Sequence, residues 1–289
     1  MTLPAPPLRS GNDGAAALYR FVRQYPRLLV LSGAGVSTDS GIPDYRDADG
    51  AWKRTPPTLY DEFVRSTRAR KRYWARSMLG WPYVAKARPN RAHYALARLE
   101  ALGHLKTLLT QNVDGLHGRA GSTTVIELHG SLEHVGCLDC GASFPREEVQ
   151  RSMIERNPEF AREAFTAAPD GDALIERGGI DAFESPACPQ CGGMLKPGVV
   201  FFGENVPRPR VDAAFTAMSH VDALLVVGSS LMVYSGYRFC ERALSAKQPI
   251  AAINLGRTRA DPMLSLKVEA PCAVALCALV DALERDMSA

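Results

Sequence analysis

The apolar run Leu28-Leu29-Val30-Leu31 leads directly into Ser32-Gly33-Ala34-Gly35-Val36-Ser37-Thr38-Asp39-Ser40-Gly41-Ile42-Pro43-Asp44-Tyr45-Arg46. A short apolar run that breaks into glycines reads as a buried strand ending in a phosphate-cradling loop. Glycine lets backbone N–H groups approach a pyrophosphate closely, and a following helix N-terminus adds a favourable dipole. A dinucleotide is the ligand this pattern suggests; a tight turn without a ligand is the alternative. Residues 105–110, 124–128, 223–227 and 250–254 read as further buried strands. Residues 91–102, opened by Pro89-Asn90 and closed by Gly103, read as a helix, as do 236–246 and 274–285. Strands alternating with helices predict an α/β fold: a Rossmann-like, doubly wound parallel sheet whose ligand lies at the strands' carboxyl ends.

Two segments interrupt this alternation. Residues 47–89 are polar and aromatic-rich, with helical patches and no strand. Residues 135–196 hold two C-x-x-C pairs and a polar helical stretch over 147–168. Both read as insertions into one nucleotide-binding domain. The net charge of +3 is too mild to argue for nucleic acid, so none is expected. The basic stretch 65–76 carries Tyr73 and Trp74 and reads as an amphipathic helix with a basic face. No run of about 18 apolar residues occurs, so no membrane span is expected. Residues 1–13 have no signal-peptide design and read as a short disordered leader. Four of seven cysteines come in pairs, which suits a reducing compartment and a metal.

The glycine loop does not suit a dehydrogenase. In the frame Gly33-x-Gly35-x-x-Thr38 the third glycine is missing. No acidic residue ends a second strand about 20 positions on, where a dehydrogenase binds the ribose hydroxyl. Asp47 and Asp49 lie in a polar loop instead. With its continuation Gly41-Ile42-Pro43-Asp44-Tyr45-Arg46, the run resembles the signature of the sirtuin family of NAD-dependent protein deacylases. The resemblance extends over nearly the whole chain. Its further motifs are Gln111-Asn112-Val113-Asp114, Leu128-His129-Gly130, the two cysteine pairs, Lys196 to Glu204, Gly228-Ser229-Ser230-Leu231 and Asn254-Leu255-Gly256. It implies a discontinuous NAD-binding domain over residues 1–46, 90–134 and 196–289. A helical cofactor-loop module would span 47–89 and a zinc-binding module 135–195.

The pairs Cys137-x-x-Cys140-Gly141 and Cys188-x-x-Cys191-Gly192 each let one turn present two thiolates to one ion. The glycine after each pair tolerates the positive-φ turn that aims N–H groups at sulfur. Four thiolates suit tetrahedral zinc and leave no open position, so the site is structural. A redox C-x-x-C is the alternative, but such a motif needs one exposed pair rather than two.

His129 follows the apolar run ending at Leu128, which places it at a strand's carboxyl end facing a ligand. Its near-neutral pKa suits general-base work; a purely structural histidine is the alternative. By resemblance, the acyl-lysine oxygen attacks the nicotinamide ribose, nicotinamide leaves, and His129 activates a ribose hydroxyl that takes over the acyl group. Asn112 would order the ribose and a nearby water. Gly33, Ala34, Gly35 and Ser37 would hold the phosphates, with Thr38 in the same cofactor set and Arg46 facing the phosphates. Asp114 and the Val113 backbone would hold the carboxamide of nicotinamide. Ile42, Pro43, Asp44 and Tyr45 would close over that end, Tyr45 shielding the reactive carbon where the family more often has phenylalanine. Trp52, Gln111, Gly228, Ser229, Ser230, Asn254, Leu255, Gly256 and Cys272 complete the implied cofactor set. For Asp44 and Arg46 a mutual surface ion pair is the alternative.

Residues 199–202 read as a short strand bounded by Pro197-Gly198 and Gly203. By resemblance, Val200, Phe201, Phe202 and Gly203 would pair with an acylated-lysine protein bound as an extended strand. Within the family the chain is most similar to class II, and there to the fourth, mitochondrial type. The stretches that carry this are 72–76, 80–82, 137–141, 168–172 and 234–239. Tyr73 and Arg76 share a helix face, and desuccinylating relatives use such a pair on an acyl carboxylate; a surface arginine packed on an aromatic is the alternative. Fourth-type relatives are linked to deacetylation, lipoyl removal and ADP-ribosyl transfer, so protein mono-ADP-ribosylation and lipoamidase activity remain alternatives. A monomer is expected, cytoplasmic in a bacterial cell and mitochondrial in a eukaryotic one.

Overall fold

In a computed structural model, the described residues are 8–9, 11–53, 57–162, 165–175 and 180–288. In chain order they form β1 (Leu8–Arg9), α1 (Gly11–Gln24), β2 (Leu28–Ser32), α2 (Tyr60–Arg65), α3 (Thr67–Lys86), α4 (Arg91–Ala101) and β3 (Leu105–Thr110). Next come α5 (Leu116–Arg119), β4 (Val125–Glu127), β5 (Gly130–Cys137), β6 (Ser143–Pro145), α6 (Arg146–Arg156), β7 (Phe165–Ala167), β8 (Ala173–Ile175) and β9 (Leu195–Val199). The last third adds α7 (Arg208–Met218), β10 (Ala223–Val227), α8 (Tyr234–Ser245), β11 (Ile250–Ile253), β12 (Leu266–Val268) and α9 (Cys272–Ser288).

Seven strands make a parallel sheet in the order β1-β12-β11-β10-β2-β3-β4. Its central strands β2, β10 and β11 are buried on both faces, which is why they read as continuous apolar runs. Leu28 and Val30 join one core with α1, α4 and α9, while Leu29 and Leu31 join a second core with α7 and α8. The chain runs outward from β2 through β3 and β4, then returns to lay β10 on the other side of β2. The strand order therefore reverses between β2 and β10. Open α/β sheets bind ligands in the crevice at such a point.

The five expected strands and three expected helices of this layer are present. The N-terminus differs from expectation. Leu8 and Arg9 pair in parallel with Lys267 and Val268, and α1 begins at Gly11, its Leu18 and Val22 fully buried. That apolar stripe anchors the segment; residues 1–7 and 10 lie outside the described residues.

The insertion around the cysteines is richer in strand than its sequence suggests. β6, β5 and β9 form an antiparallel sheet, with Gly136 opposite Lys196 and Cys137 opposite Leu195. The polar helix expected over 147–168 stops at Arg156. Asn157 precedes Pro158, which disfavours helical backbone at Asn157. Its side chain turns back to the Met153 carbonyl and also receives the Glu184 N–H. Beyond it, β7 and β8 pair as a hairpin beside α3. The strand expected over 199–202 is also displaced. The ladder runs through Leu195–Val199, because Leu195 and Lys196 pair back onto β5, and residues 200–202 leave it. There Phe202 bridges Leu59 instead.

Candidate active site and zinc centre

The loops after β2 and β10 meet at the reversal point. The Gly35 N–H donates to the Gly228 carbonyl at 2.8 Å, and the Gly33 N–H donates to the Val227 carbonyl at 3.0 Å. A Cβ on Gly35 would lie 2.9 Å from the Gly228 oxygen, and one on Gly228 would lie 2.6 Å from the Val36 nitrogen. The glycines are required by this backbone-to-backbone approach as well as by any ligand.

Above them opens a cavity of about 1510 Å³, counting its solvent-open mouth. Most of the residues expected to bind a cofactor line it: Gly33, Ala34, Gly35, Asp44, Tyr45, Arg46, Trp52, Gln111, Asn112, Val113, Gly228, Ser229, Ser230, Asn254 and Leu255. His129, Val200, Phe201, Phe202 and Gly203 line it too. Ser37, Thr38, Ile42, Pro43, Asp114, Gly256 and Cys272 are not in its wall. Ser37 is buried behind the loop and donates to Asp114 Oδ2 at 2.7 Å, while Asn112 Nδ2 donates to Ser37 Oγ and the Gly33 carbonyl, each at 3.1 Å. The Thr38 hydroxyl donates to the Gly35 carbonyl at 3.1 Å, and Ile42 is core. Ser37, Thr38 and Asp114 thereby brace the wall from behind.

Asp44 and Arg46 do not pair with each other. Asp44 accepts from Lys53 at 2.5 Å. Arg46 donates to the Gly50 carbonyl at 2.7 Å and lies 3.9 Å over the Trp52 ring. Tyr45 meets both Trp52 and Phe202 edge-on, with ring centres 5.9 Å away in each case.

His129 sits just before β5. A carbonyl can only accept, so Nδ1 carries the proton that goes to Gln111 O at 2.9 Å. Nε2 is then the unprotonated nitrogen, and the Ser235 hydroxyl donates to it at 2.8 Å. Burial lowers the pKa of His129 to about 4, the Gln111 carbonyl pulling it up and the Arg238 and Arg210 charges pushing it down. The ring is therefore neutral at pH 7, with an unprotonated nitrogen inside the cavity.

The sequence pattern alone gives Ser235 and Arg238 no site role, although they lie in the stretch 234–239 that carries the fourth-type resemblance. They are three apart at the start of α8, and both line the cavity. The buried Nε of Arg238 has no hydrogen-bond partner among the described residues. An orphaned guanidinium nitrogen beside a glycine loop fits an anionic ligand.

The pair Tyr73 and Arg76 lines an adjoining cavity, which shares Asp44, Tyr45, Trp52 and residues 199–202 with the first. Arg76 is held there by the Asp172 carboxylate at 2.5 Å and the Ala173 carbonyl at 2.7 Å. Of the expected substrate segment, Val200 N–H donates to the His129 carbonyl at 2.7 Å and the Phe202 carbonyl accepts from Tyr60 N–H. Among the described residues no hydrogen bond reaches the Val200 carbonyl.

The four paired cysteines converge. Their sulfurs all lie within 4.8 Å of one another, Cys137 to Cys191 at 3.6 Å and Cys140 to Cys188 at 3.7 Å. Tetrahedral zinc with bonds of about 2.3 Å sets its sulfurs about 3.8 Å apart, so the set fits the ion. Gly141 and Gly192 take φ of +75° and +73°, the left-handed turns expected after each pair.

A family model described as the Sir2 family matches residues 33–235. The chain belongs to the Sir2 family. It is 58% identical to an NAD-dependent protein deacetylase of Xanthomonas campestris pv. campestris, covering 91% of this chain and 90% of that protein. It is 47% identical to the NAD-dependent protein lipoamidase sirtuin-4, mitochondrial, of Bos taurus, covering 93% and 86%. A solved Sir2 with a p53 peptide and NAD+ superposes with a TM-score of 0.71 at 28% identity, covering 94% and 96%.

Two buried histidines, His93 and His117, and the partly buried His129 predict acid sensitivity of this sirtuin. Burial holds His93 and His129 near 4 and His117 near 3, below the ordinary 6.5. The folded state keeps them neutral while the unfolded chain takes up protons below pH 6.5. Stability is thus level above about pH 7 and falls as pH drops from 6.5 towards 4. The slope is on the order of 1–4 kcal/mol per pH unit, partly offset by Glu127 and Asp172, whose carboxyls burial raises. Urea midpoints across pH 4–8 measure it; a flat profile between 6.5 and 5 contradicts it.

Proposed function

We propose that the chain is an NAD-dependent protein-lysine deacylase that transfers the acyl group to ADP-ribose and releases nicotinamide. The single observation that carries this reading is His129 in its neutral Nδ1–H form, with Nε2 aimed into a cavity floored by the Gly33–Gly35 and Gly228–Ser230 loops. NAD supplies the ribose carbon that is attacked and the hydroxyl that finally accepts the acyl group. His129 Nε2 receives the proton of that hydroxyl, and the Gln111 carbonyl stabilises the ring when it becomes cationic. The Ser235 hydroxyl holds Nε2 in place and yields to the ribose hydroxyl when it arrives. The Ala34 N–H, which unlike those of Gly33 and Gly35 is not donated to a backbone carbonyl among the described residues, and Arg238 bind the phosphates, Asn112 orders the ribose, and Tyr45 with Phe202 keeps water from the reacting carbon.

The protein substrate is bound as an extended segment against residues 200–203, whose Val200 carbonyl accepts from the acyl-lysine amide. One zinc on Cys137, Cys140, Cys188 and Cys191 holds the small sheet together. The three-part division of the chain belongs to this reading, as do a monomeric state and a cytoplasmic location. No helix among the described residues is long and apolar enough to cross a membrane.

Incubation with NAD and a panel of acyl-lysine peptides tests the reaction. One nicotinamide and one O-acyl-ADP-ribose are expected per lysine freed. Protein labelled with ADP-ribose, with no lysine freed, would favour the transferase alternative and overturn this proposal.

A further inference from the structure

The cavity adjoining the one that holds His129 is walled by Tyr45, Trp52, Tyr73, Phe201 and Phe202, with Arg76 and Asp172 also in its lining. It is the chamber into which an acyl chain would extend from the lysine, so its selectivity rests on the deacylase reading. An arginine in an aromatic chamber would favour a carboxylate, but this one is already taken. Asp172 Oδ2 lies 2.5 Å from Arg76 Nη2, and the Ala173 carbonyl accepts from Nε at 2.7 Å. The ion pair is largely shielded from solvent, with 18% and 25% of its two side chains exposed. The other acid in the wall, Asp44, is balanced by Lys53.

The contact is built into the chain around Asp172. The Asp172 Oδ1 accepts its neighbour's Ala173 N–H at 2.8 Å, so the carboxylate is locked between backbone and guanidinium. Residues 171–172 lie directly on α3 at Gly80. A Cβ at Gly80 would come 2.4 Å from the Asp172 carbonyl oxygen and 2.5 Å from the Gly171 oxygen. Gly80 lies one helical turn beyond Arg76, so the closest backbone approach falls beside the residue that is neutralised. Burial raises the pKa of Asp172, and the adjacent Arg76 pulls it back down.

We propose that Asp172, seated on Gly80, neutralises Arg76 and makes this chamber select acyl chains with an uncharged distal end over chains ending in a carboxylate. A neutral tail enters and leaves the ion pair intact. A carboxylate tail must displace Asp172 from Arg76 or lie beside it, and two carboxylates sharing one guanidinium repel.

The test compares kcat/KM for succinyl-lysine and butyryl-lysine peptides, matched in length and differing in the end charge. The unmodified enzyme is expected to prefer butyryl. Asp172→Asn keeps the size and one of the two acceptor oxygens but removes the charge, and is expected to raise the succinyl-to-butyryl ratio about tenfold or more. Adding Arg76→Met to that variant is expected to abolish the gain. Gly80→Ala, which pushes the segment off α3, is expected to raise the ratio as well. An unchanged ratio in Asp172→Asn, with butyryl turnover retained, overturns the inference and leaves deacylation standing. So does a gain that survives loss of Arg76, or a preference for succinyl in the unmodified enzyme. Turnover of no acylated peptide at all overturns the deacylase reading, and this inference with it.

Discussion

His129→Ala is expected to lower kcat for nicotinamide-coupled deacylation by about 10²- to 10⁴-fold while the fold and NAD binding persist. The ring's two hydrogen bonds go to the Gln111 carbonyl and the Ser235 hydroxyl, both at the cavity wall, where water can replace them. The floor that would hold the phosphates comes from the loops after β2 and β10, whose contacts do not pass through His129. Calorimetric titration with NAD should therefore give an affinity close to that of the unmodified protein. A rate within tenfold of normal would remove His129 from the chemistry. Loss of NAD binding together with activity would show instead that the ring is a structural prop.

Removing zinc is expected to unfold the small sheet and abolish turnover together. Elemental analysis should find about one zinc per chain. Structural zinc sites contribute roughly 10–16 kcal/mol of apparent binding free energy, comparable to a typical domain's whole stability. The damage has a path to the site. Cys137 is the last residue of β5 and His129 immediately precedes its first, while β9 runs from Leu195, four residues past Cys191, to Val199 beside Val200. Without the ion, four sulfurs 3.6–4.8 Å apart have nothing to hold them together. Limited proteolysis and near-ultraviolet circular dichroism after chelation follow the sheet directly. A protease-resistant module with all metal gone would contradict the assignment.

The parallel layer was legible because its central strands β2, β10 and β11 are buried on both faces and therefore appear as unbroken apolar runs. The glycine loops, His129 and the cysteine pairs were legible because each combines a residue type and a spacing that its chemistry demands. The antiparallel sheet was not. β5 is Gly-Ser-Leu-Glu-His-Val-Gly-Cys, with glycines and no clean alternation, and its order derives from pairing with β9 and from the sulfurs at its end. The helix stop at Asn157 had a local signal in Pro158, but the hairpin beyond it is fixed by packing on α3, which no local pattern records. Arg76 shows the same limit. Its spacing from Tyr73 is visible in the sequence, whereas the carboxylate that occupies it arrives from nearly a hundred residues away. Ser235 and Arg238 acquire their roles only once α8 is placed over the β10 loop.

The backbone approach of Gly35 to Gly228 has a consequence for mutational tolerance. Two positions in distant parts of the chain share one small volume, and neither has room for even a methyl group. A saturation library should find both positions invariant even when selection is for folding alone, without NAD in the screen. Swapping either loop between relatives should succeed only when its counterpart is carried along. For recombination or design, the two loops are inherited as one part.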